Sequence, residues 1–140
     1  MSDQSYYITL AVIDRISELA IGKFGSFSAF SKKMGWKSPR WGVLYNNGRC
    51  INFNTLVRIA KVLDLSIEYL LTGKNKSSYI EENLSVRNLA LMKIHGASNS
   101  IYSVLSKIRN NKQKDIGLIT LFDIEEVSKK DIRQLLRGAQ

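Results

Sequence analysis

Residues 26–73 read SFSAFSKKMGWKSPRWGVLYNNGRCINFNTLVRIAKVLDLSIEYLLTG, and four short helical patterns follow one another in them, separated by turn signals. Phe27, Phe30 and Met34 fall at helical spacing, and Gly35 closes that helix as a C-terminal glycine does. Lys37-Ser38-Pro39 opens the next helix, because proline's missing N–H costs nothing in a first turn. Trp41, Leu44 and Tyr45 form its inner face, and Asn46-Asn47-Gly48 ends it with residues that tolerate left-handed backbone. Asn52 is the expected N-cap of a third pattern, with Phe53, Leu56, Ile59, Ala60 and Leu63 inward. Ser66 caps a fourth, which turns Ile67, Leu70 and Leu71 inward and stops at Gly73.

Charge in this region is one-sided. From Leu19 to Leu63 there is no acidic residue, while Lys23, Lys32, Lys33, Lys37, Arg40, Arg49, Arg58 and Lys61 are present. A small helical unit that is basic and free of acids suits a polyanion. Two short helices joined by a tight turn around a glycine describe a helix-turn-helix.

The run from Lys33-Met34-Gly35 to Leu44-Tyr45-Asn46, followed by NFNTLVRIAKVLDLSIEYLLTG, resembles the DNA-binding domain of the lambda-repressor/Cro (XRE) family. The resemblance covers residues 5–73, and its most specific part is the apolar series Leu56, Ile59, Ala60, Leu63, Leu70 and Leu71 with Ser66. It implies a five-helix domain whose recognition helix starts at Ser38 and lies in the major groove of double-stranded DNA. Carried over by position, Ser38, Pro39 and Arg40 would face the bases, and arginine's fork can hold a guanine through O6 and N7. Lys37, Asn46, Asn47 and Arg49 would sit near phosphates, with Lys32 and Lys33 on the same basic side. Phe27 and Pro39 stand where the family tends to have polar residues, and Trp41 stands at a core position.

The rest of the chain extends this reading. A first helix is expected over residues 5–22, with Ile8, Val12, Ile13, Ile16, Leu19 and Ala20 on its apolar side. The organisation expected is all-α: a DNA-binding domain over 1–73, a polar linker over 74–78 and a helical unit over 79–140. Slid by 61 positions, Gly35 meets Gly96 and Val43-Leu44 meets Val104-Leu105. With two residues inserted, Phe53, Leu56 and Ile59 meet Ile116, Ile119 and Phe122; further on, Ile67, Leu70-Leu71 and Gly73 meet Ile132, Leu135-Leu136 and Gly138. A second acid-free stretch, Asn83 to Lys114, carries Arg87, Lys93, Lys107, Arg109, Lys112 and Lys114.

Two readings of this half stand side by side. It is a degenerate second helix-turn-helix with Ser98–Ile108 as its recognition helix and Lys107 and Arg109 on a second DNA-contact surface. Otherwise it is an appendage, one helix from Ser78 to Ile94 and a helix pair from Asp115 to Leu136, that joins two chains as a homodimer or holds a protein partner. The acidic cluster Asp123, Glu125 and Glu126 would repel phosphate and favours the second; in the first it would be the outer face of a tandem unit, turned away from DNA.

Composition bounds the function. A net charge of +9 on 140 residues suits nucleic acid better than a small neutral substrate. One Cys, Cys50, and one His, His95, supply no zinc site and no internal disulfide, and His95 is expected to pack beside the Gly96 turn. No apolar run approaches the ~20 residues that span a bilayer, and MSDQSYY is not a signal peptide, so a cytoplasmic protein without membrane contact is expected. No phosphate loop or nucleophile motif is present, so neither an enzyme nor a cofactor is expected. The resulting expectation is a sequence-specific transcriptional regulator of phage-repressor kind, with an antitoxin-like module as the alternative.

Overall fold

The structure, a computed structural model, describes residues 3–37, 41–42 and 51–138. It is all-α among the described residues. The helices are α1 (Asp3–Phe24), α2 (Phe27–Lys33), α3 (Phe53–Leu63), α4 (Ile67–Thr72), α5 (Val86–Leu91), α6 (Asn99–Arg109), α7 (Leu118–Ser128) and α8 (Ile132–Arg137). Trp41 and Gly42 are also helical.

Local chemistry sets most boundaries. The hydroxyls of Ser26, Ser66, Ser85 and Ser98 and the carboxylate of Asp131 each accept a first-turn N–H, which starts α2, α4, α5, α6 and α8. At the end of α2, Gly35 takes φ +82°, Gly35 N donates to Lys32 O and Trp36 N to Ser31 O, closing a Schellman motif. The Trp36 ring then packs edge-on against Phe30, with centroids 6.3 Å apart.

The core runs through the whole described chain. Val12, Ile13, Ile16 and Ala20 of α1 belong to one hydrophobic cluster with residues of α2, α3 and α4 and also with Leu89, Leu105, Leu121, Ile124 and Leu135. α1 packs on α2, α3 and α4, and on α7 from the other half. Residues 74–78 are exposed, and Ser77 O accepts from Ser66 N. A continuous helix over 78–94 does not form. Residues 79–85 are non-helical because their backbone groups bond elsewhere: Tyr79 N to the Asp64 carboxylate at 3.2 Å and Ser85 N to Leu136 O at 2.9 Å. The Ser98–Ile108 pattern is helical, as α6, and the expected pair over 115–136 is α7 and α8.

α3 and α7 are both 11 residues long and α4 and α8 both 6, and each pair is offset by 65 positions, as Phe53 is from Leu118 and Ile67 from Ile132. Their C-caps agree too: Asp64 and Lys129 are left-handed, and so are Gly73 and Gly138. Gly35 and Gly96 both have positive φ, and Asn88 of α5 donates to Leu136 O at the end of α8 as Arg15 of α1 donates to Leu70 O in α4. The register of α7 is thus two residues beyond the sequence alignment: Phe53, Leu56 and Ile59 correspond to the buried Leu118, Leu121 and Ile124. Ile116, Ile119 and Phe122 mimic the same face because apolar residues recur every three to four positions.

The two sets of helices meet where α3 and α7 begin. Phe53 N donates to Ile116 O at 2.8 Å and Leu118 N to Ile51 O at 3.1 Å, an isolated antiparallel bridge at Asn52 and Gly117. Asn52 occupies the N-cap position of α3, but its side chain makes no cap bond. Asp115 does that work from the other half: its Oδ1 accepts from Asn54 N at 3.0 Å and from Ile116 N at 2.8 Å. Asp115→Ala should therefore lower unfolding stability by about 1 kcal/mol, the usual worth of a capping carboxylate, with Asp115→Asn intermediate. Urea denaturation followed by circular dichroism checks this; an unchanged midpoint would mean the cap carries no weight.

Candidate nucleic-acid interface

The turn after α2 is held from within. Trp41 is fully buried, its Nε1 donates to Ser17 Oγ at 2.8 Å, and its backbone N donates to Ser31 Oγ at 3.3 Å. Ser17 Oγ in turn donates to Ile13 O at 2.8 Å, so the hydroxyl both donates and accepts inside the core. The Phe30 ring lies edge-on to Trp41, centroids 5.6 Å apart. These contacts fix where the chain re-enters a helix at Trp41 relative to α1 and α2. The bulk of Trp41 is core, as its position in the sequence implied.

The basic residues of the acid-free stretch divide into two groups. Several sit at helix C-termini, where cations complement the macrodipole and unsatisfied carbonyls. Arg58 Nη2 donates to Met34 O at 2.7 Å, Lys23 Nζ to Val62 O at 3.3 Å, and the neighbouring Arg15 donates to Leu70 O at 2.7 Å. Lys61 lies 3.9 Å from Glu81 and over the Tyr79 ring. Lys32, Lys33 and Lys37 are exposed, and among the described residues none of them is in an ion pair. They stand at the end of α2 and in the turn that leads to residue 38. Ser38, Pro39 and Arg40, expected at the bases, and Asn46, Asn47 and Arg49, expected at phosphates, lie outside the described residues.

In the second half, α6 exposes Asn99, Ser100, Tyr102, Ser103, Ser106, Lys107 and Arg109, all without a negative charge. Lys112 and Lys114 are exposed on the segment leading to α7, and Lys114 O accepts from the Asn54 side chain at 3.2 Å. Sequence reading assigned these two lysines no contact role, although Asn110-Asn111 before them repeats Asn46-Asn47. Two acids flank the start of α6. Asp123 and Glu126 stand in α7 where Arg58 and Lys61 stand in α3, and with Gly96, Ser98 and Val104 they line a groove between α6 and α7. Glu125 does not line that groove. Its carboxylate is half-buried and accepts from Ile132 N at 3.0 Å, adding to the Asp131 cap on α8.

His95 is exposed instead of packed at the Gly96 turn. Cys50 lies outside the described residues. Among the described residues, no group of three or more His, Cys, Asp or Glu side chains is placed to hold a metal ion. No helix among them is long and apolar enough to cross a membrane. Comparison with protein-family models, with curated proteins and with solved structures gave no match.

Two predictions follow from these contacts. Ser17→Ala leaves the Trp41 Nε1–H without its acceptor in a buried site, which should cost about 1–3 kcal/mol and shift tryptophan fluorescence. An unaltered unfolding midpoint would contradict it. Burial raises the Glu125 carboxyl above the ordinary carboxylate range; the Ile132 N–H opposes this and Asp131 adds to it. The folded state therefore holds that proton more tightly than the unfolded state. The stability Glu125 contributes is present at low pH and is lost as pH rises through its elevated titration. Glu125→Gln keeps an acceptor for Ile132 N and removes this loss. Its stability relative to the parent should grow from pH ~4 upward, and a constant difference in urea titrations across pH would refute the assignment.

Proposed function

We propose that this protein is a sequence-specific double-stranded DNA-binding transcriptional regulator, with residues 1–73 forming a lambda-repressor-like five-helix domain. The observation that carries the reading is the division of labour among its cations. Arg15, Lys23 and Arg58 are tied to helix-end carbonyls, whereas Lys32, Lys33 and Lys37, exposed beside a turn between helices, make no ion pair among the described residues. Lysines kept out of internal pairs on an acid-free surface suit phosphates. The order of α1, α2, the helical Trp41–Gly42, α3 and α4 also supports it, since it follows the order the sequence resemblance implies.

In this mechanism the lysines, with Asn46, Asn47 and Arg49, hold the sugar-phosphate backbone and set the register. Ser38, Pro39 and Arg40 then present the first turn of the reading helix to base edges. Affinity comes mostly from counterion release and specificity mostly from Arg40 and its neighbours. A reader of this type engages two half-sites, through two copies of the chain or through two units in one chain.

The test is selection of duplexes from a random pool, followed by titration of the best one at several salt concentrations. Binding should fall steeply with salt. Replacing Lys32, Lys33 and Lys37 by Ala should reduce the magnitude of the log–log slope by about 2–3. Arg40→Ala should weaken the selected duplex by about 10-fold or more and relax preference at one base pair. An unchanged preference would remove residues 38–40 from the reading helix.

A further inference from the structure

The two sets of helices meet in a way that a repeat alone does not require. In a two-fold symmetric dimer, residues on the axis meet their own equivalents in the partner. The same relation holds here inside one chain. Asn52 and Gly117, each the N-cap residue of an 11-residue helix, are bridged to each other. The bridging bonds are reciprocal: Phe53 N to Ile116 O is repeated as Leu118 N to Ile51 O, with both ends shifted by the 65-position repeat. A second contact obeys the rule. Arg133 Nη2 lies 3.2 Å from Glu68 Oε1, and Arg133 is the residue of α8 that corresponds to Glu68 of α4. These two self-equivalent contacts lie on α3–α7 and α4–α8, and together they define an internal pseudo-two-fold axis.

The charges at the axis favour this pairing within one chain. Two copies of the first unit would bring Glu68 against Glu68, and two copies of the second Arg133 against Arg133. Only the first unit against the second gives opposite charges. Asp115 caps α3 across the same contact.

The loops beside the axis carry the positive charge. Counting back from the bridged residues at the same offset, Ile116 corresponds to Ile51, Lys114 to Arg49 and Asn111-Lys112 to Asn46-Asn47. Lys107, Arg109, Lys112 and Lys114 are exposed and, among the described residues, none of them is in an ion pair. The acids of α7 stand at the opposite end of α6 from these cations. Asp123 and Glu126 line a groove with Ser98, Ser100 and Ile101 at the start of α6, whereas Lys107 and Arg109 stand in its last turn and Lys112 and Lys114 in the segment after it.

We propose that one chain carries two DNA-binding units about this internal axis, and that Lys107, Arg109, Lys112 and Lys114 are the phosphate-binding surface of the second. The chain then engages both halves of an approximately two-fold duplex site as a monomer, with α6 as the second reading helix. The two half-sites differ in sequence, because the α6 face offers Asn99, Ser103 and Ser106 where the first unit offers Ser38, Pro39 and Arg40. The proposal rests on the DNA-binding reading above.

The experiment uses the full chain and a duplex selected from a random pool. Native mass spectrometry counts chains per duplex, and hydroxyl-radical footprinting maps protected segments. The expected result is one chain per duplex, with two protected segments separated by about one helical turn. Lys112→Ala with Lys114→Ala should remove protection over one segment and lower the salt slope by about 2, whereas Lys32→Ala with Lys33→Ala should act on the other. These lysines are exposed, so thermal melting should be unchanged and loss of binding is not loss of fold. Two chains per duplex, each covering one segment, would overturn the single-chain proposal and leave the DNA-binding reading standing. One chain per duplex with protection unchanged by the Lys112 and Lys114 substitutions would overturn the second surface. Failure to enrich any duplex would overturn the DNA-binding reading and this proposal with it.

Discussion

Two main-chain hydrogen bonds, Phe53 N to Ile116 O and Leu118 N to Ile51 O, hold together the starts of two equal helices. Helix N-termini do not associate by default: each has unsatisfied N–H groups and the positive end of a macrodipole. The reciprocal bonds satisfy one N–H on each side. The Asp115 carboxylate adds an acceptor and a negative charge at the point where the two positive ends approach. Glu68 and Arg133 contribute a charge-complementary contact at a second pair of equivalent positions. The relation between the two sets of helices follows from these few groups.

α1 depends on that relation. The second set has no long helix of its own: the six-residue α5 stands on α8 as α1 stands on α4, and the segment before α5 is non-helical. α7 packs instead against α1, so the buried face of Val12, Ile13, Ile16 and Ala20 belongs to a cluster drawn from both halves. The hydrophobic term is non-directional and would tolerate several arrangements. The backbone bridge and the Asp115 cap are directional and select one register among them.

Local features were legible in the sequence and remote ones were not. Ser66, Gly35 and Gly73 act as the caps their identities announce, and Phe53, Leu56, Ile59 and Leu63 are buried as their spacing requires. The capping group of α3 was not legible, because Asp115 acts on Asn54 from a distant part of the chain. Nor was the slip of two residues in the repeat, since apolar spacing repeats within a helix. In the candidate site, the acid-free stretch announced a basic surface, but composition could not separate Arg58, which serves a carbonyl, from Lys32 and Lys33, which are in no ion pair among the described residues. Lys112 and Lys114 carry no helical period, and only the repeated Asn-Asn before them marks their place.

The central claim is that the two-fold contact lies inside one chain and leaves no equivalent contact for a second copy. Sedimentation equilibrium of the free protein over a wide concentration range tests it most directly. The account predicts the mass of a single chain throughout, with no dependence on concentration. A reversible species of twice that mass would place the working two-fold axis between chains and contradict it.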